Sequence, residues 1–168
     1  DIDIARELGA DGVVFGCLRP DGSLDTEANA MLIEHAKGLS VTFHRAFDRC
    51  ADPRKALEEL IAQGFDRILT SGQQPTALEG TPLLKELHEQ SNGRIILLAG
   101  CGVNEQNIAT IAQATAIHEF HFSARTAVKS KMMFSNPDVY MGAKDADEDT
   151  LNITSAERVA NTIAQLCK

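Results

Sequence analysis

The sequence predicts an α/β fold of the (βα)8 barrel type, with five of the eight βα units present. Short apolar runs ending in a small or polar cluster alternate five times with capped, amphipathic stretches that close on glycine, which is the rhythm of repeated βα units. Runs such as Ile95 to Leu98 are apolar at every position, as strands covered on both faces of a parallel sheet require. A doubly wound sheet would carry a phosphate loop after its first strand. Gly16-Cys17-Leu18-Arg19-Pro20 has neither GxGxxG nor Walker spacing, whereas polar residues gather at several strand ends, as a barrel mouth requires.

The elements follow in order. Asp1 to Gly9 reads as the tail of a helix, so three βα units are expected to be absent from the amino end. Val13 to Gly16, Val41 to His44, Arg67 to Thr70, Arg94 to Leu98 and Glu119 to Ser123 are too short for helices and rich in β-branched or aromatic residues, so they read as strands. Between them Asp25 precedes a stretch carrying Ala28, Met31, Leu32 and His35 and stopped by Gly38. Asp52 caps a helix with Pro53 at its first position, a stripe of Ala56, Leu57, Leu60 and Ile61, and Gly64 after it. Thr81-Pro82 opens a helix with Leu83, Leu84 and Leu87 ending near Gly93, and Asn104 opens one with Ile108 and Ile111. Thr154 and Glu157 form a capping box before a terminal helix with Val159, Ile163 and Leu166.

Composition narrows the function. At 168 residues and 43% hydrophobic content the chain can bury one core, and a single partial barrel domain spanning residues 1–168 is expected. A net charge of −8 and a pI near 5.1 oppose a nucleic-acid or anionic-membrane surface, because binding phosphates needs a basic face. Cysteines 17, 50, 101 and 167 are widely spaced, without CxxC, and read as reduced thiols. With no apolar run near 18 residues and no signal peptide, a cytoplasmic location is expected.

The chemistry is expected at strand ends. In a strand, Glu119, His121, Ser123 and Arg125 share one face while Phe120 and Phe122 share the other. An acid, an imidazole, a hydroxyl and a guanidinium in one row need partners or a ligand. His44, Arg45 and Asp48 crowd a second tip. These residues point to proton transfer by His44, Arg45, Asp48, Glu119 and His121. Ser71, Gly100, Gly102, Ser123 and Arg125 are expected to hold a small anion, Gly100-Cys101-Gly102 by presenting backbone amides. Plainer roles compete: a satisfied interior histidine for His44, a loop-fixing ion pair for Arg45 and Asp48, a closed turn for Ser71. Cys17 and Cys101 both follow strand ends and, as thiolates, would suit Cu(I); the competing reading is inert thiols. No lysine lies at a strand end, which opposes a Schiff-base aldolase.

Gly9 to Gly16, Thr42 to Asp48, Leu69 to Gly72, Ala77 to Gly80 and Glu119 to Arg125, in this order, resemble the CutC copper homeostasis family. The resemblance runs from Ala5 to about Ala143. It implies a (βα)8-type barrel, a cytoplasmic protein, a homodimer and a role in copper handling with Cu(I) as the metal. Cys101 stands where the family more often shows glycine, and Gln73 where some relatives have cysteine. Two functions are thus expected to compete: copper homeostasis with Cu(I) binding, and a barrel enzyme acting on a small anionic or phosphorylated metabolite.

Overall fold

The computed structural model describes residues 1–134, 136, 138–142 and 147–167. The chain divides into two compact units, residues 1–122 and residues 123–168, where the sequence leads to the expectation of one domain.

The first unit begins with α1 (Ile2–Glu7) and then alternates: β1 (Gly12–Phe15), α2 (Thr26–His35), β2 (Ser40–Phe43), a 3-10 turn (Arg45–Arg49), α3 (Pro53–Gln63), β3 (Arg67–Thr70), α4 (Thr81–Ser91), β4 (Ile96–Gly100), α5 (Ile108–Thr115) and β5 (Glu119–His121). The five strands are parallel and lie side by side in chain order. Consecutive strands that neighbour one another through helical crossovers are the build of a (βα)8 barrel, so the fold is α/β of that type with five of its strands.

Local chemistry sets the boundaries. Asp25 accepts the Ala28 N–H at 3.1 Å and so starts α2; Asp52 accepts those of Arg54 and Lys55, both at 3.1 Å, ahead of α3. Gly64, at φ 86°, ends α3 in the left-handed conformation that favours glycine. Two starts fall later than the sequence suggests. Arg94 is drawn to Glu58 at 2.7 Å and to the Ser91 carbonyl, so β4 begins at Ile96. Asn104 and Asn107 both bond the Gly102 carbonyl, closing a turn that delays α5 to Ile108.

The register gives the sheet two unlike faces. Val41, Phe43, Ile68, Leu97 and Ala99 point to the helix-covered side and are buried with Leu57, Leu60, Leu84, Leu87, Ile108 and Ile111. Phe65 meets the edges of Phe15 and Phe43 there, with ring centres 5.5 and 5.4 Å apart. Phe120 and Phe122 pack against the same core. Val14, 61% exposed, and Ile96 lie on the opposite face, together with Arg67, Leu98 and Glu119.

The second unit holds β6 (Arg125–Lys129) and β7 (Thr150–Thr154), antiparallel with Arg125 opposite Thr154, followed by α6 (Ala156–Ala164). The alternating run from Glu119 to Arg125 is therefore not one strand. Ala124 turns the chain at φ 46°, and its carbonyl accepts the Ser155 N–H. The cap of α6 is Ser155 rather than Thr154; its hydroxyl accepts the Arg158 N–H at 3.2 Å. Among the described residues no helix is long and apolar enough to cross a membrane.

Candidate functional site at the carboxyl ends of the strands

The 3-10 turn after β2 carries Asp48 against the end of β3, where its carboxylate, only 7% exposed, gathers the loop. Its oxygens accept the Thr70 hydroxyl at 2.6 Å and the backbone N–H groups of Ser71 and Gln73, the latter at 3.2 Å. Arg45 Nε donates to Asp48 Oδ2 at 2.7 Å, and Arg45 Nη2 donates to Ser71 Oγ at 3.0 Å. The Ser71 hydroxyl has one proton. It lies 2.6 Å from the Gln74 carbonyl and 3.1 Å from Asp48 Oδ2, so it is spent on the loop. The Asp48 hydrogen bond, with Cys101 beside it as a lesser influence, raises the affinity of Arg45 for its proton above the ordinary value. Arg45 is thereby a fixed cation, 43% exposed, at the mouth.

His44 caps the same turn: its Nδ1 accepts the Ala46 N–H at 3.2 Å, and its ring stands edge-on to Phe43. Accepting through Nδ1 leaves the proton on Nε2, so the neutral ring is a donor on its other side. His121 ends β5 and is exposed. β2 and β5 are three strand steps apart, about 14 Å along the sheet at the usual spacing.

Glu119 belongs elsewhere. It opens β5, and its carboxylate grips Arg67 of β3 at 2.7 and 3.3 Å, while Arg67 Nη1 donates to Ser40 Oγ at 2.8 Å. These groups open their strands, so they tie β2, β3 and β5 together nearer the amino ends of the sheet, away from Asp48. Ser123 and Arg125 fall in the second unit, where Arg125 opens β6; the structure does not join them to Glu119 and His121 in one strand.

Gly100 and Gly102 flank Cys101, which adopts φ 81°. A methyl on Gly100 would lie 2.6 Å from Leu69 Cδ1, the movable end of a side chain. Cys101 Sγ contacts the Pro75 carbonyl at 3.1 Å, and its own carbonyl accepts the Ala77 N–H. Cys17 follows β1, its backbone held at both N–H and carbonyl by the buried Asn29 side chain. β1 and β4 are also three strands apart in the sheet. Among the described residues no group of three or more His, Cys, Asp or Glu side chains could hold a metal ion.

Three contributors escape a reading by motif: Thr70, Gln73 and Arg67. Gln73 donates to the Cys50 carbonyl at 2.7 Å and so pins the far side of the loop. Arg67, half-buried, is paired with Glu119 only through the strand order.

Comparison with known proteins gives the family. The CutC family model matches residues 1–126. A CutC family protein of Bacteroides thetaiotaomicron is 60% identical over 164 residues, 97% of this chain and 66% of the relative. One of Porphyromonas gingivalis is 49% identical over 164 residues, and one of Vibrio cholerae 46% over 168; the chain again spans 66% of each. The chain thus spans just under two thirds of the length of the curated relatives it matches. A crystal structure from Streptococcus agalactiae, of a protein named for copper homeostasis, CutC, superposes with a TM-score of 0.68 at 36% identity, over 71% of this chain and 59% of that one. With three quarters of its length matched by the family model, the chain belongs to the CutC family.

Proposed function

We propose that the chain works in copper homeostasis in the cytoplasm, and that its strand-end site receives a small anion, a carboxylate or phosphate, instead of trapping copper between two thiolates. The copper half of this reading rests on the CutC family and on the name of the Streptococcus agalactiae neighbour. The anion half rests on one observation. Arg45 is fixed by the nearly buried Asp48 and by Ser71, yet 43% of its side chain remains open at the carboxyl ends of the strands.

Such a cation is preorganised: its rotamer is already set, so an arriving anion loses less in ordering it. His44, donating through Nε2, and the Gly100 to Gly102 turn are the neighbouring donors on the same side of the sheet. A catalytic version of this reading makes His44 the proton donor to a bound metabolite, with Arg45 holding its charge and Asp48 positioning Arg45. Calorimetric titration with inorganic phosphate and with citrate tests it. Binding by the wild type that is lost in Arg45→Gln supports the anion site; equal heats from both refute it.

A further inference from the structure

Gln73 adopts φ 57° although it is not a glycine, directly after Gly72 at φ 69°. A long side chain is strained in that left-handed region, and such strain persists where surrounding contacts over-determine it, most often at functional sites. Those contacts are present. The Gln73 N–H donates to Asp48 Oδ1 at 3.2 Å, while its side-chain Nε2 donates to the Cys50 carbonyl at 2.7 Å. Asp48 lies in the 3-10 turn Arg45–Arg49, and Cys50 caps its end. One residue of the loop after β3 therefore grips that turn at its carboxylate and again at its exit.

The same carboxylate carries the cation of the site. Arg45 Nε donates to Asp48 Oδ2 at 2.7 Å, so Gln73 holds one oxygen and Arg45 the other. The geometry points to Gln73 as a positioning residue for the anion site: by clipping Asp48 and the Cys50 carbonyl together it sets the direction from which Arg45 meets a phosphate or carboxylate. The left-handed backbone is the conformation in which both bonds form at once. This role rests on the anion reading above. Without the side-chain amide, Asp48 still accepts the Thr70 hydroxyl and the Ser71 N–H, so the loop stays folded. The Cys50 end of the turn loosens, however, and Arg45 samples more directions. An arriving anion must then order it, and ordering one rotamer-rich side chain weakens binding about three- to tenfold.

Two substitutions separate positioning from plain support. Gln73→Gly removes the amide and relieves the left-handed backbone, where glycine is at ease; Gln73→Met keeps the length and the backbone conformation and removes only the donor. The experiment combines calorimetric titration with inorganic phosphate, urea unfolding, and the Nε–Hε NMR resonance of Arg45, on the wild type and both variants. Gln73→Gly is expected to keep the wild-type unfolding midpoint, because relief of strain offsets the lost bond. Both variants are expected to bind phosphate more weakly by the factor above, with the Arg45 resonance broadened by exchange with water. A merely structural role does the reverse: it lowers the unfolding midpoint of both variants and leaves phosphate affinity and the Arg45 resonance as in the wild type. That outcome, or a wild-type Arg45 resonance in Gln73→Met, overturns the role of Gln73 and leaves the anion site standing. No phosphate uptake by the wild type overturns both.

Discussion

Asp48 meets the backbone N–H of Ser71 with both carboxylate oxygens, at 3.0 and 3.1 Å, joining the turn after β2 to the loop after β3. The same carboxylate orients Arg45, so loop order and the placement of the cation at the mouth depend on one side chain. Asp48→Asn keeps the shape but turns an acceptor into a donor facing N–H groups. The expected cost is about 2 to 3 kcal/mol of stability, the range for removing a charged acceptor from buried donors, together with weaker phosphate binding. Denaturant unfolding and calorimetry on the variant check both; an unchanged unfolding midpoint would show that Asp48 is not the hub.

Gly80 lets the loop after β3 close. A methyl built on it would sit 1.8 Å from the Ser71 carbonyl oxygen, a clash with backbone rather than with a flexible side chain. Gly80→Ala is expected to destabilise by about 3 kcal/mol, at the upper end for overpacking, and to disturb Arg45 through Ser71. Gly38 is the contrast. At φ 89° with open space around it, Gly38→Ala should cost only the left-handed strain of roughly 1 to 2 kcal/mol. Equal losses in the two variants, measured by urea unfolding, would contradict the contact argument.

Cys50 is buried beside the acids Asp52 and Asp48, and burial, the larger effect, pushes its thiol up to about 11 from an ordinary 9.0. The protonated form is favoured in the folded state. Its contribution to stability is complete below pH 9.0 and declines as pH rises from there toward about 11, because the unfolded chain releases the proton first. Alkylation at pH 8 should therefore label the exposed Cys167 long before Cys50. Comparable rates, read by peptide mass mapping under native conditions, would mean that Cys50 is not shielded.

Glu58 shows the opposite sign. Hydrogen bonds from Arg94, then from Gln90, hold its carboxyl down at about 2 from an ordinary 4.5. The charged form is favoured, so this pairing is intact above pH 4.5 and is lost as pH falls toward about 2. A carboxyl-carbon NMR titration should place the Glu58 midpoint near the lower value, and Arg94→Ala should return it to the ordinary carboxylate range. An ordinary midpoint in the wild type would show that the exposed pair is broken in solution.

The α/β class, the five parallel strands and most helix limits were legible because local rules and tertiary packing agree. Asp52 with Pro53 and Gly64 delimits α3 on chemistry alone. The break after His121 was hidden. Glu119 to Arg125 alternates perfectly in type, and only the left-handed turn at Ala124, anchored by Ser155 some thirty residues on, moves Ser123 and Arg125 out of β5. The capping box at Thr154 failed by one position, since Thr154 is taken into the β6 pairing and Ser155 is the first residue free to cap. Of the site, the loop-fixing pair of Arg45 with Asp48 and the turn-closing role of Ser71 were legible as the plainer alternatives, but the hold of Asp48 on Thr70 and Gln73 was not. Neither was the pairing of Glu119 with Arg67, which spans 52 residues of sequence. That bond is set by strand order, which no local pattern encodes.

The most direct measurement of the central claim is phosphate titration followed through the guanidinium resonances of individual arginines. Arg45 should shift and saturate, while Arg67 and Arg94, each gripped by a glutamate, stay still. A silent Arg45, or arginines that all drift together without saturating, would contradict an anion site at the strand ends.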